Sequence, residues 1–471
     1  MMFRSARACG AVAAALALAG CATLGPDRGR IDTTAMVGAR SDVALEWTTG
    51  PDSDAQADAL RAQPMTPVAA VQMALVRSPR LQQEYARLGL ARADVQEAIQ
   101  ISNPRLSIVR LFGDGDGLLT LGLAMPLIDL LTMPSRVRLA KADYERRKHE
   151  IGAAILTVAA EVEAGWYGYV GTRQVAEMRD TVAKGMATSA ELAQRFYDAG
   201  NITELQLKQE QAAATQSRIE AARAAADASR ARLELNTLVG LSGPLADWPV
   251  TARLPEPVAK EDEEQELAAL GGSNLRLLAA RQEVAVMEGI LQTTRRFRWL
   301  GGTEIGLERE REPDGTRLAG PTAEIELPIF NQGQSKVARA EARVAEARAR
   351  LAQIEIASGN AVRLGVERIK VLREIIELHR TALIPQRENV VARRQEQQNF
   401  MLIGVFELIQ AKRQEYEAYQ SYLESIRDYW LARIDLMRAV GARLPSDMPA
   451  GRGVTDHTGS GAPRRGQGEQ P

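Results

Sequence analysis

The strongest constraint on this fold is one long stretch that reads as a single helix. From about Ser135 to Phe196 the sequence contains no proline and few turn-forming residues, and the first break comes at residues 197–201 (YDAGN). At about 1.5 Å per residue, such a helix would be on the order of 95 Å long. A second long stretch that reads as helical covers residues 334–398. The chain is therefore predicted to be extended rather than built from compact domains.

Composition supports long helices and gives no strong electrostatic field. Aromatic residues make up only 4% of the chain, and alanine, arginine, glutamate and leucine are abundant, as in coiled coils. The formal net charge is −1, which does not favour binding to nucleic acid or to a charged membrane surface.

The N-terminus is predicted to be a signal peptide that precedes a lipid anchor. Arg4 and Arg7 precede an apolar run, and residues 18–21 (LAGC) close the segment. These four residues resemble a bacterial lipobox, which implies cleavage after residue 20 and lipidation of Cys21, with palmitate among the acyl groups. The alternative is an ordinary cleaved signal with a chance cysteine. Residues 21–66 are predicted to be a lipid-anchored tether, and Ala22 favours the outer membrane by resemblance to bacterial lipoproteins.

The rest of the chain is predicted to contain two similar halves. Residues 67–240 and 261–442 each show a helical part, two strands, a long helix, a reversal and a returning helix. Residues 241–260 are a proline-containing linker, and residues 443–471 a disordered tail. Pro328 follows Pro126 by 202 positions and Gly441 follows Gly240 by 201, so we predict an internal duplication. In the second half we predict one helix over residues 263–297 and strands over residues 301–310 and 321–330.

The second long helix has a heptad seam. Val337, Val344 and Leu351 are seven residues apart, and Ala340 and Ala347 belong to the companion row. Charged side chains fill most of the other positions, so one face is predicted to be solvated. Taken alone, this window is also compatible with an independent coiled coil.

The strands are predicted to close a barrel with other copies of the chain. Four strands would otherwise leave two open edges, and backbone within a bilayer must be fully paired. In the second half apolar side chains alternate with acidic ones, and we expect the glutamates to face a lumen: Glu304, Glu308, Glu324 and Glu326. The alternative is a half-exposed soluble sheet with a charged outer face.

At this point the sequence resembles the TolC family of outer-membrane efflux channels, especially the lipoprotein members that serve resistance-nodulation-division pumps. The resemblance rests on residues 18–21, on residues 195–203 (RFYDAGNIT) and on residues 327–333 (LPIFNQG). It implies a mainly α fold with a small transmembrane β part: four strands per protomer in a trimeric 12-stranded β-barrel, continued by a periplasmic α-barrel. It also implies a homotrimer in the outer membrane, with a periplasmic adaptor (membrane-fusion) protein and an inner-membrane pump as partners.

The resemblance assigns the two helix reversals to a periplasmic tip that contacts the adaptor. The residues concerned are Arg195, Gly200, Asn201, Thr203, Leu205, Asn399, Phe400, Met401 and Gly404. For the first reversal, the alternative is a turn with a capping threonine and no partner. The second lacks a glycine at Met401, where Gly200 aligns, and we expect Asn399 to supply the left-handed residue instead.

The sequence offers no chemistry for catalysis. Its three histidines, at positions 149, 379 and 457, are far apart, and no catalytic or cofactor-binding motif is present. We therefore predict a passive conduit of a tripartite efflux system rather than an enzyme, with no cofactor. The alternative is a periplasmic coiled-coil lipoprotein scaffold without a pore. The exported substrate is left open.

Overall fold

A computed structural model describes residues 30–41, 51–113, 115–249, 253–300, 302–312 and 314–447. The predicted signal peptide, Cys21 and the chain beyond residue 447 lie outside the described residues. Within the predicted tether the structure has two helices, α1 (Arg30–Gly38) and α2 (Pro51–Arg61), which the sequence analysis missed. Val37 and Ala57 bury their side chains in the main core, so the described tether packs along the helices.

The first half contains the predicted elements in the predicted order. They are α3 (Pro67–Arg77), α4 (Pro79–Ile99), β1 (Arg105–Gly113), β2 (Gly115–Pro126), α5 (Leu127–Asp198) and α6 (Glu204–Val239). The predicted start of the long helix near Ser135 is wrong, because α5 begins at Leu127 and includes Pro134. An interior proline costs a helix about 3 kcal/mol. A helix of 72 residues, roughly 110 Å long, tolerates that loss.

The second half contains α7 (Glu264–Gly271), α8 (Leu275–Phe297), β3 (Glu304–Arg311), β4 (Arg317–Glu324), α9 (Gln334–Leu378), α10 (Ile384–Asn399) and α11 (Val405–Val440). The predicted single helix over residues 263–297 is broken at residues 272–274. There the Asn274 side chain accepts a hydrogen bond from the Arg276 backbone N–H at 2.9 Å and starts a new helix.

The second long helix is also interrupted, contrary to prediction. A π-helical turn, His379–Leu383, separates α9 from α10. Its cause is Pro385, which has no N–H to donate to the carbonyl of Thr381 four residues earlier. One additional residue per turn accommodates the missing hydrogen bond without ending the helix.

The four strands form one antiparallel sheet in the order β1-β2-β3-β4, with β2 and β3 joining the two halves. The predicted bounds of the second hairpin are wrong. β3 begins at Glu304, and β4 ends at Glu324, so residues 325–330 are not strand. β1 and β4 are the two edges of the sheet.

The helices form two connected layers. Next to the sheet the packing order is α4–α5–α8–α9. Towards the reversals it is α6–α5–α11, with α9 and then α10 packed on the far side of α11. We call these the sheet-side layer and the tip-side layer, and α5 and α9 run through both. No helix in the described ranges combines the length and apolar character needed to cross a membrane.

Where the layers meet, buried tryptophans connect the linking segments to the helices. The Trp166 indole N–H donates to the Met65 carbonyl at 2.8 Å, and the Trp430 indole N–H donates to the Pro255 carbonyl at 2.8 Å. Trp248, in the predicted linker, is buried as well. The described parts of the tether and linker therefore wrap the middle of the bundle.

A buried arginine anchors the C-terminal end of the described chain. The Arg433 side chain is 1% exposed and forms ion pairs with Glu261 and, at 2.6 Å, with Asp447. Burial lowers the pKa of its guanidinium, but Asp447 and Glu261 outweigh this effect, and the pKa is raised. Leu444 is fully buried. The predicted disordered tail therefore starts too early, because residues 443–447 are part of the core.

Candidate functional site

The tip-side layer has two open edges, α6 and the lower part of α9, and each carries an exposed apolar stripe. The α6 stripe repeats every seven residues along the side turned away from α5: Leu205, Ala212, Ile219, Ala226 and Leu233. The α9 stripe has the same spacing: Ala357, Leu364, Val371 and Leu378. Such stripes are the seams of coiled coils, yet here neither has a partner helix within the described chain.

The open edges of the sheet match those of the helices. β1 and α6 come from the first half, whereas β4 and α9 come from the second. An edge from each half is thus exposed on either side of the molecule. Copies of a chain with two unlike edges of this kind associate head to tail. They form a closed ring when the rotation from each copy to the next adds up to a full turn.

The strand register separates an acidic face from an apolar face. Glu304 lies opposite Glu324, and Glu308 lies opposite Gly122 and Gly320, so these three glutamates share one face, as predicted. The opposite face exposes large apolar side chains: Leu106, Ile108, Leu121, Leu123, Ile305 and Leu307. An exposed apolar surface of this extent is unusual for a protein that faces only water.

Two features of the acidic face were not recognised in the sequence. Glu310 follows Glu308 on this face, and Arg105 of β1 donates to Glu304 Oε1 at 2.7 Å. The Arg105 contact joins the two halves across the sheet, so no local pattern could reveal it. Glu326 is not on a strand, and its Oε2 accepts a hydrogen bond from the Gly302 N–H at 2.8 Å.

The two reversals have the same backbone hydrogen bonds. At the first, the Gly200 N–H donates to the Tyr197 carbonyl at 2.9 Å and the Asn201 N–H donates to the Phe196 carbonyl at 2.8 Å. At the second, the Met401 N–H donates to the Gln398 carbonyl and the Leu402 N–H to the Gln397 carbonyl, both at 2.9 Å. Each is a Schellman-type end.

The second reversal corrects the expectation about Asn399. Asn399 is the last residue of α10, and Met401 itself has a φ of 58°, where Gly200 has 73°. A residue other than glycine is disfavoured there by roughly 1–2 kcal/mol. Met401 is 92% exposed, with Phe400 and Leu402 exposed beside it, so this turn presents an apolar surface.

The remaining predicted tip residues lie around the reversals, and the two turns are adjacent. Arg195 lies in the last turn of α5, Thr203 caps α6 in a capping box with Gln206, and Gly404 precedes α11. The Phe196 and Phe406 rings pack edge to face, with 6.0 Å between their centroids. Leu205, predicted as a tip residue, is also the first member of the α6 stripe.

Comparison with known proteins identifies the first half. Residues 70–241, from α3 to just after α6, match the model of the family described as outer membrane efflux protein. These residues are an outer membrane efflux protein domain. The family consists of transport proteins rather than enzymes, and its members reside in the outer membrane.

Known relatives extend the similarity over most of the chain. Protein CyaE of Bordetella pertussis is 25% identical over 364 residues, which are 70% of this chain and 73% of CyaE. The outer membrane protein VceC of Vibrio cholerae has a similar fold, with a TM-score of 0.65 at 16% identity, covering 83% of this chain and 97% of VceC. For the MtrE outer membrane channel of Neisseria gonorrhoeae, in its open state, the TM-score is 0.64 at 15% identity, covering 79% of this chain and 88% of MtrE.

These comparisons confirm the predicted resemblance and the mainly helical fold of outer membrane efflux proteins. The closed barrel, the internal duplication and the roles of the site residues stay predictions.

Proposed function

We propose that this protein is the outer-membrane channel of a tripartite efflux system, which conducts substrates passively from an inner-membrane pump and a periplasmic adaptor. The observation that carries the proposal is the pair of unlike open edges, on the sheet and on the helical layer, that run along the same two sides of the molecule. In a ring, β4 of one copy would pair with β1 of the next, and α9 would pack on α6. The family resemblance sets the number of copies at three.

In such a ring the acidic face lines the pore and the apolar face contacts lipid. Glu308 and Glu324 would favour cations or tolerate them, while Arg105 partly neutralises Glu304. The exposed side chains Trp299 and Phe330 are near the end of the sheet that joins the helices. They would lie at the periplasmic membrane–water boundary of the outer membrane, where aromatic residues are favoured.

Lipidation of Cys21 would add an anchor in the outer membrane. The mass of the mature N-terminal peptide would test this lipidation.

Reconstitution of the purified full-length protein in planar bilayers tests the channel. We expect stepwise conductance with a preference for cations, together with a trimer by native mass spectrometry. Glu308→Gln should reduce the cation preference, because it removes a pore carboxylate. Glu97→Gln, at an exposed position of α4, should not reduce it. The competing function, a periplasmic scaffold, predicts no conductance at all and no closed oligomer.

The two reversals would form the periplasmic tip that contacts the adaptor. Gly200→Val forces a β-branched residue to a φ of 73°, which destabilises this turn by more than about 1 kcal/mol. The cost comes from the backbone conformation alone, because no neighbouring atom lies within 4 Å of the added Cβ. In cells that also contain the adaptor and pump, we expect export to fall steeply while trimers still insert.

Met401→Gly is the complementary change at the other reversal. Glycine adopts a positive φ without steric cost, so this second turn should become more stable. Undiminished export by the Gly200→Val protein would contradict the assignment of the first reversal to the adaptor-contacting tip.

A further inference from the structure

The apolar face of the sheet ends in a row of arginines at the side farthest from the helices. The register places Arg110 opposite Leu119, Leu119 opposite Arg311, and Arg311 opposite Arg317, so one row crosses all four strands. Arg309 lies on the same face, two residues nearer the helices. We call Arg110, Arg309, Arg311 and Arg317 the arginine row.

The positively charged arginine row and the negatively charged glutamates lie on opposite faces of the sheet. In β3, Glu308 and Glu310 alternate with Arg309 and Arg311, so the acidic and basic side chains project to opposite faces. All four arginines are exposed, and among the described residues none of them forms an ion pair with a carboxylate. If this end of the sheet were merely solvated, nothing would favour a single sign on each face.

The position of the row along the strands fits a lipid boundary. Ile305 begins the apolar face near the helices, and Arg311 lies six residues further along β3. Six residues correspond to about 20 Å of strand. The rows between them are filled mainly by leucine and isoleucine. In an inserted sheet, the guanidinium groups would therefore reach the headgroups of the distal leaflet, where arginine is tolerated.

We propose that the arginine row binds the phosphate groups of a phosphorylated glycolipid of the lipid A type in the outer leaflet. The inference rests on the proposed function, because it requires the sheet to be in the outer membrane. Guanidinium groups form paired, charge-assisted hydrogen bonds with phosphate oxygens, and four arginines without carboxylate partners on one apolar face supply several such donors. A protomer with this row would carry bound glycolipid on its outer surface.

Binding of lipid A to the detergent-solubilised full-length trimer, measured by native mass spectrometry, tests the proposal. The row variant combines Arg309→Gln, Arg311→Gln and Arg317→Gln. The control combines Lys336→Gln, Arg339→Gln and Arg343→Gln, three exposed positions on α9 with the same loss of charge. We expect lipid A binding to weaken at least about tenfold in the row variant and to be unchanged in the control, because charge-assisted hydrogen bonds to phosphate are lost only in the first.

A second measurement needs no variant. The wild-type trimer should bind lipid A at least about tenfold more tightly than its dephosphorylated form, since the phosphates are the recognised groups. Equal binding of the two forms, equal weakening in both triple variants, or complete displacement of lipid A by millimolar inorganic phosphate would overturn the proposal. Conductance in phosphatidylcholine bilayers separates the two proposals: conductance without lipid A binding overturns this inference alone, whereas absence of conductance overturns the proposed function first.

Discussion

Leu233→Asp is expected to leave the protein folded but unable to assemble or conduct. Leu233 is exposed on the α6 stripe, and in the proposed ring it is buried against α9 of the next copy. Burial of a leucine contributes about 1.5–3 kcal/mol to the free energy of association. A carboxylate in its place loses this contribution and adds a desolvation cost of roughly several kcal/mol. Every interface of the ring contains the substitution, so association should weaken by more than about 100-fold.

Sedimentation in detergent and conductance in planar bilayers measure this effect. Val371→Asp, on the α9 stripe, should give the same result, because it changes the opposite side of the same interface. Ala225→Asp is the matched control, since Ala225 is an exposed α6 residue outside the stripe. If the Leu233→Asp protein still forms conducting trimers, the α6 stripe is not an interface between copies.

Arg433→Leu should cause the largest loss of stability of any substitution discussed. Arg433 is buried and is the shared partner of Glu261 and Asp447. Its removal leaves Asp447 without its counter-charge and leaves Glu261 with Arg373 as its remaining cationic partner. Breaking a buried ion pair by removing one partner costs about 3–5 kcal/mol. We expect a clearly lower unfolding temperature, measured by the fluorescence of the adjacent Trp430. We also expect residues 443–447 to become sensitive to proteolysis.

Arg368→Leu provides the comparison. Arg368 lies on α9 and pairs with Asp435 at 3.5 Å, with both side chains about half exposed. An exposed pair of this kind contributes about 0–1 kcal/mol. Similar unfolding temperatures for the two variants would show that the buried cluster does not hold the C-terminal segment on the core.

The two reversals show which features of a turn can be predicted from the local sequence and which cannot. Residues 197–201 and 399–404 interrupt long helical stretches, and the structure turns at both places. The sequence correctly identified where the chain reverses, because glycine and the loss of helical periodicity are local signals. It misassigned the left-handed residue of the second turn to Asn399, because the hydrogen bonds of the turn, rather than intrinsic preference, impose that conformation on Met401.

Misplaced boundaries have a similar physical origin. Pro134 and Pro385 are both strong local signals against a helix, yet α5 passes through the first and the π-helical turn accommodates the second. In each case the packing of a very long helix against its neighbours outweighs the loss of one hydrogen bond. Residues 443–447 likewise owe their order to Arg433, which is only visible once the helices are assembled.

The sequence by itself determined the long helices, the two hairpins, the reversals and the shared face of Glu304, Glu308 and Glu324, because these follow from periods of 3.6 and 2 residues along one chain. It wrongly added Glu326 to that face, because it placed the end of β4 too late. Only the tertiary structure decided that β2 pairs with β3, that α6 and α9 are the open edges with exposed stripes, and that the arginines form one row. These features join residues that are distant in the chain. They depend on which surfaces remain unpaired after folding, and a local pattern carries no information about that.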